Sequence, residues 1–132
     1  MAFDFKICDG LIELTFHGKV SAGNLQQALQ AVEDLESRLT VTPDRITDMS
    51  GADTAGLQAG DLVAVAEKRG KAKLKNKIKS AIVAPSPDHY GLARIFMGFN
   101  QNPDISLMIF RDSASAYQWL GRSAKSGDEA KT

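Results

Sequence analysis

The stretch Phe3-Asp4-Phe5-Lys6-Ile7-Cys8-Asp9-Gly10-Leu11-Ile12-Glu13-Leu14-Thr15-Phe16 decides how this chain begins to fold. Apolar and polar residues alternate on both sides of Asp9-Gly10, the period of strands with one buried face. Asp-Gly between two such runs signals a tight hairpin. Two strands joined by two turn residues must pair antiparallel.

Beyond Gly18 the pattern changes to alternating helices and strands. Leu25, Leu29, Val32, Leu35 and Leu39 recur at helical spacing, with Ser21 or Asn24 as the cap. Arg45-Ile46-Thr47-Asp48-Met49 reads as a short strand, followed by a turn-rich loop, Ser50 to Gly56. A second helix passes through Leu57, Leu62, Val65 and Ala66; Lys68 and Arg69 suit its negative end, and Gly70 suits a left-handed position after it. Ile78 to Ala84 reads as a buried strand, and Ser86-Pro87-Asp88 opens a third helix running to about Phe99. Ile105 to Phe110 is the last strand, and Asp112 or Ser113 caps a helix through Ala116, Trp119 and Leu120. The order is ββαβαβαβα, an α/β chain whose later strands pair parallel through right-handed crossovers.

At 132 residues the chain suits one domain, expected over 1–122, with a small polar tail, 123–132, expected to be disordered. A single cysteine, Cys8, excludes an internal disulfide and a cysteine-based zinc site; its strand context reads as a small core residue. The N-terminus lacks the basic and apolar regions of a signal peptide, and no apolar run is long enough to span a bilayer. A cytoplasmic location is the expectation.

The formal net charge of zero conceals a dipole. Seven of sixteen Lys and Arg residues lie between Lys68 and Lys79 with no acid among them. Lys71, Lys73, Lys75, Lys77 and Lys79 alternate, so in extended chain they share one side, as in a solvated lead-in to an edge strand. Such a patch also suits an acidic protein or an anionic lipid surface. Nucleic acid is disfavoured, because no aromatic interleaves the lysines and arginine is nearly absent.

Five stretches in this order resemble the SpoIIAA-like family, small bacterial proteins with the STAS fold, often compared with the SEC14 lipid-carrier fold. They are Leu11 to Gly18, Ile46 to Gly51, Ala81 to Pro85, Tyr90 to Phe96, and Phe110-Arg111-Asp112 with Ala116 to Leu120. The resemblance implies a mixed STAS-like sheet of four or five strands with about four helices on it, and no established enzymatic activity. STAS phosphoswitch proteins carry an Asp-Ser-(Ser/Thr)-Gly loop, which is absent here. Ser50 and Thr54 are the only hydroxyls in the corresponding loop; both read as turn and cap residues, with a phosphoacceptor role as the alternative.

Other constellations fail on chemistry. Gly51 and Gly56 have P-loop spacing, but Leu57-Gln58 stand where a lysine and a hydroxyl are needed. His17 and His89 belong to no metal-spaced cluster, and His89 has no nucleophile beside it in sequence. No catalytic residue, metal or cofactor is expected.

The third helix is apolar over about 220° of its circumference, more than a helix lying on a sheet needs. Tyr90, Phe96, Met97 and Phe99 therefore suggest a homodimer contact or the wall of an apolar cleft, with Arg94 available for an acidic head group. Two functions follow as expectations. The first is a non-catalytic regulatory or protein-interaction module acting through this helix and the lysines. The second is a carrier or sensor of an apolar or amphipathic small molecule.

Overall fold

Asp9 (φ 52°) and Gly10 (φ 73°) form the expected hairpin turn between β1 (Phe3–Cys8) and β2 (Leu11–Lys19). A computed structural model describes residues 2–123; beyond Ser123 the tail expected to be disordered lies outside the described residues. The chain continues through α1 (Ala22–Ser37), β3 (Asp44–Asp53), α2 (Ala59–Gly70), β4 (Ile78–Val83), α3 (Pro87–Phe99), β5 (Ile105–Phe110) and α4 (Ser113–Trp119). The order is the expected ββαβαβαβα.

The five strands lie in one sheet in sequence order, β1-β2-β3-β4-β5. β1 is antiparallel to β2, and every later neighbour is parallel. Each crossover steps in the same direction, so right-handed connections place α1, α2 and α3 on one face. On that side Ile12, Leu14 and Phe16 of β2 pack with Ala28 and Val32 of α1, while Met49 and Ile82 pack with Ala93 of α3. α4, which no strand follows among the described residues, crosses to the other face and buries Ala116 and Tyr117 against Leu11, Ile46, Ala81 and Val83.

Local chemistry explains most element ends. Ser21 and Asn24 both cap α1, each side chain bonding the other's backbone N–H. Ser86 caps α3, and Asp112 caps α4 through the Ser115 amide at 2.7 Å.

Four local expectations change. β3 continues to Asp53, so Ser50 and Gly51 belong to a strand and the loop is shortened to residues 54–58. Across β2 and β3, His17 pairs with Gly51 and Lys19 with Asp53, a continuation that hydrogen bonding to β2 supports and composition conceals. α2 starts at Ala59, beyond Leu57. Gly70 is helical, without a positive φ. The carbonyls ending α2 are met instead by the Asn102 side-chain amide, which donates to Arg69 O at 3.2 Å and Ala72 O at 2.7 Å. Gly70 is small because a Cβ there would stand 3.3 Å from the Gln101 nitrogen. Finally, Cys8 is exposed, because on edge strand β1 it shares the face of exposed Asp4 and Lys6, opposite Phe3 and Phe5 in the core.

Candidate functional site

The lysine run keeps its alternation: Lys71, Lys73, Lys75, Lys77 and Lys79 are exposed, while Ala72, Leu74, Asn76 and Ile78 turn inward. It does not lead into an edge. β4 is flanked by β3 and β5, and the sheet edges are β1 and β5. Two of the lysines close helix ends. Lys75 donates through Nζ to the carbonyls of Glu36, Ser37 and Leu39 at the end of α1. Lys79 donates to Trp119 O at 3.1 Å and lies 5.2 Å from the centre of the Trp119 ring. Cations there oppose the negative end of a helix.

Arg69 leaves the patch altogether. It is 0% exposed and donates from Nη1 and Nη2 to the two oxygens of Glu36, each at 2.7 Å, with Glu33 a further 3.3 Å from Nη1. Burial opposes its charge, yet the bonds and charge of Glu36, joined by Glu33, hold it above its ordinary pKa. Lys68, Lys71 and Lys73 remain on the rim of a groove of about 380 Å³. They and Lys77 make no side-chain hydrogen bond or ion pair among the described residues.

Tyr90, Arg94, Phe96, Met97 and Phe99 separate by helical geometry. Phe96 turns inward against the sheet and α2. Tyr90 packs by Ile82 and Met49, with Arg94 5.9 Å and Arg111 4.7 Å from its ring centre. Met97, 36% exposed, and Phe99, 48% exposed, face solvent. His17 sits on the hairpin surface, its Nε2 3.0 Å from Asp4. His89 is buried, with Nε2 2.8 Å from Ala52 O, tying the start of α3 to the end of β3.

Ser50 bonds Asp48 Oδ1 through both its backbone nitrogen, at 2.9 Å, and its hydroxyl, at 2.5 Å. Ser50 lies within β3 and not in the loop that opens α2. Thr54 is half-buried and accepts the Leu57 amide on its carbonyl.

Phe96 points toward the feature that sequence reasoning missed. Between the sheet and α1, α2 and α3 lies a cavity of about 80 Å³. Leu14, Phe16, Leu29, Leu62, Val65 and Phe96 supply its apolar wall. Thr54 and Leu57 line both this cavity and a surface groove of about 330 Å³ beside the start of α3. The two spaces adjoin at those two residues.

Arg45 and Thr47 are the polar part of the β3 wall. Arg45 is 5% exposed, and its Nε has no hydrogen-bond partner. Its side chain makes no hydrogen bond or ion pair among the described residues. Burial lowers its pKa to about 10, with repulsion from Arg69 adding to the shift and Glu36 and Glu33 opposing it. It stays cationic at neutral pH. The signal was present: a strand joined by parallel crossovers on both sides is central, so alternate residues of Arg45-Ile46-Thr47 must face a covered layer.

Among the described residues no group of three or more His, Cys, Asp or Glu side chains could hold a metal ion. No described helix is long and apolar enough to cross a membrane.

No protein-family model matches the chain, and no curated protein matches it. Among solved structures, it is similar to an uncharacterised protein of the DUF3478 family with a SpoIIAA-like fold from Shewanella loihica PV-4. The identity is 19%, the match covers 90% of this chain and 92% of that one, and the TM-score is 0.57. The likeness is one of fold: this chain is an α/β protein with the SpoIIAA-like arrangement of sheet and helices.

Proposed function

We propose that this protein is a non-catalytic binding module, a carrier or sensor that holds a small apolar or amphipathic molecule between its sheet and its first three helices. The observation behind this reading is the apolar cavity with a buried, unpartnered cation in its wall. A well-packed core has few voids larger than a water molecule, and a void lined by aliphatic and aromatic groups accepts apolar guests. Its volume of about 80 Å³ is roughly half that of an engineered cavity that binds benzene. A larger guest requires the loop carrying Thr54 and Leu57 to yield. The polar end of the ligand thus moves from Arg94, on the outside of α3, to the interior.

Native mass spectrometry of gently purified full chain, followed by denaturation of the same sample, tests the reading. Extra mass that disappears on denaturation, and that falls in Ala28→Leu, is the expected result. Ala28 lines the cavity, so a larger side chain there competes with the guest. A bare mass, together with no rise in melting temperature on adding small apolar probes, would sink the proposal.

A partner-docking role for α3 is a second reading, supported by the exposure of Met97 and Phe99. Exposed large apolar groups are favoured at contacts between chains. A homodimer that dissociates in Phe99→Glu is its expected signature, and a monomer at all concentrations its refutation.

A further inference from the structure

Arg45 carries five N–H donors, and the described residues occupy none of them. Beside it in the β3–β4 register stands Ser80. Residues paired across neighbouring strands project to the same side of a sheet, here the side covered by α1, α2 and α3. Ser80 is 1% exposed, and its hydroxyl also lacks a partner. Buried polar groups in folded proteins are overwhelmingly hydrogen-bonded, so two neighbouring orphans, Arg45 in the wall of the apolar cavity and Ser80 beside it on the next strand, require a reason.

Both groups can donate, and a guanidinium matches the two oxygens of a carboxylate. We propose that Arg45 and Ser80 form a head-group site for a monocarboxylate whose short aliphatic body occupies the apolar cavity. This rests on the binding function proposed above and specifies the ligand class.

Charge selects one negative charge over two. Glu33 and Glu36 both face Arg69, so the four buried or half-buried groups, Arg45, Arg69, Glu33 and Glu36, balance before ligand enters. A single carboxylate bonded to Arg45 leaves one net negative charge on the cluster, the smallest excess an anionic ligand can bring. A phosphate dianion would leave a second charge uncompensated near two acids, at a desolvation cost that one serine hydroxyl cannot offset. Volume limits the body. A cavity of about 80 Å³ admits a few carbon atoms without rearrangement, and longer chains must pass Thr54 and Leu57.

The test compares hexanoate with 1-hexanol on the full chain stripped of bound molecules, by calorimetric titration. The expected result is roughly 10- to 100-fold tighter binding of the acid, the range of a charge-assisted hydrogen-bonded pair. Arg45→Met should erase that preference, read as the ratio of hexanoate to hexanol affinity within the same variant. Ser80→Ala should lower the ratio of hexanoate to hexanol affinity several-fold. Equal binding of acid and alcohol by the wild type would overturn the head-group site and leave the cavity function standing. Binding of neither would overturn both. Acid preference that survives Arg45→Met would overturn the role of Arg45. If Arg45→Met does not fold, Arg45→Lys serves: its point charge lacks the planar fork, so an undiminished preference would count against the proposal.

Discussion

Glu36 of α1 and Arg69 of α2 are joined by two hydrogen bonds of 2.7 Å each, where Arg69 has no solvent exposure. The pair clamps two helices on the same side of the sheet as the cavity. Its energetics are asymmetric, because a buried pair roughly balances desolvation against attraction, whereas a lone buried charge has nothing to balance it. Arg69→Met should therefore cost about 3–5 kcal/mol. The double change Glu36→Leu with Arg69→Met should recover much of that loss. Urea unfolding of the single and double variants measures the coupling, and additive losses would contradict it.

The lysines divide into structural and free members. Lys75→Ala removes the side chain that closes the end of α1, and a loss of about 1 kcal/mol is expected. Lys71→Ala, Lys73→Ala and Lys77→Ala should each stay within about 0.5 kcal/mol of the parent. Thermal melts of the four variants decide this. Equal effects at all four positions would remove the distinction.

Tyr117 predicts a pH dependence. Burial, then the charge and hydrogen bond of Glu13 at 3.2 Å, raise its phenol well above the ordinary value. The folded state therefore keeps a proton that the unfolded chain loses near pH 10. This contribution is fully present below about pH 10 and is lost as the pH climbs from there toward the folded value. Lysines titrate in the same range, so the informative quantity is a difference. Stability should fall more steeply above pH 10 in the parent than in Tyr117→Phe, and parallel curves would argue against the assignment.

Filling the cavity should stabilise the empty protein. At about 24 cal/mol per Å³, a void of about 80 Å³ corresponds to at most about 2 kcal/mol. Ala28→Leu should recover about 1–2 kcal/mol in ligand-stripped protein, measured by chemical unfolding. A net loss would show that the space is too narrow for three more carbons.

Glycines separate by backbone conformation. Gly10, at φ 73° in the hairpin turn, should lose about 1–2 kcal/mol on replacement by Ala. Gly98, in α3 with open space around its Cβ position, should gain up to about 1 kcal/mol from the same change. Melting temperatures moving in opposite directions are the expected readout.

Much of this protein was legible in its residues because the governing physics is local. Strand alternation around Asp9-Gly10, helical spacing from Leu25 to Leu35, and caps at Ser21, Ser86 and Asp112 depend on neighbours a few positions away. These signals, with the resemblance they supported, sufficed for the order of elements and the fold class. The alternating exposure of the lysines was likewise legible, since extended chain turns every second side chain the same way.

Where local composition competes with long-range pairing, the residues misled. Ser50 and Gly51 look like turn formers and lie in β3, because β2 satisfies their backbone. Arg69 looks like one more surface cation; its burial follows from Glu33 and Glu36, more than thirty positions earlier. Arg45 and Ser80 are thirty-five positions apart, and only the pairing of β3 with β4 brings two unpartnered polar groups side by side. The sequence alone determined the order and type of the elements, since those choices obey local sterics and periodicity, whereas the ends of β3 and α2 were set by pairing and packing. Tertiary structure decided which charges are buried and where the cavity lies, since both depend on how separate elements pack against one another.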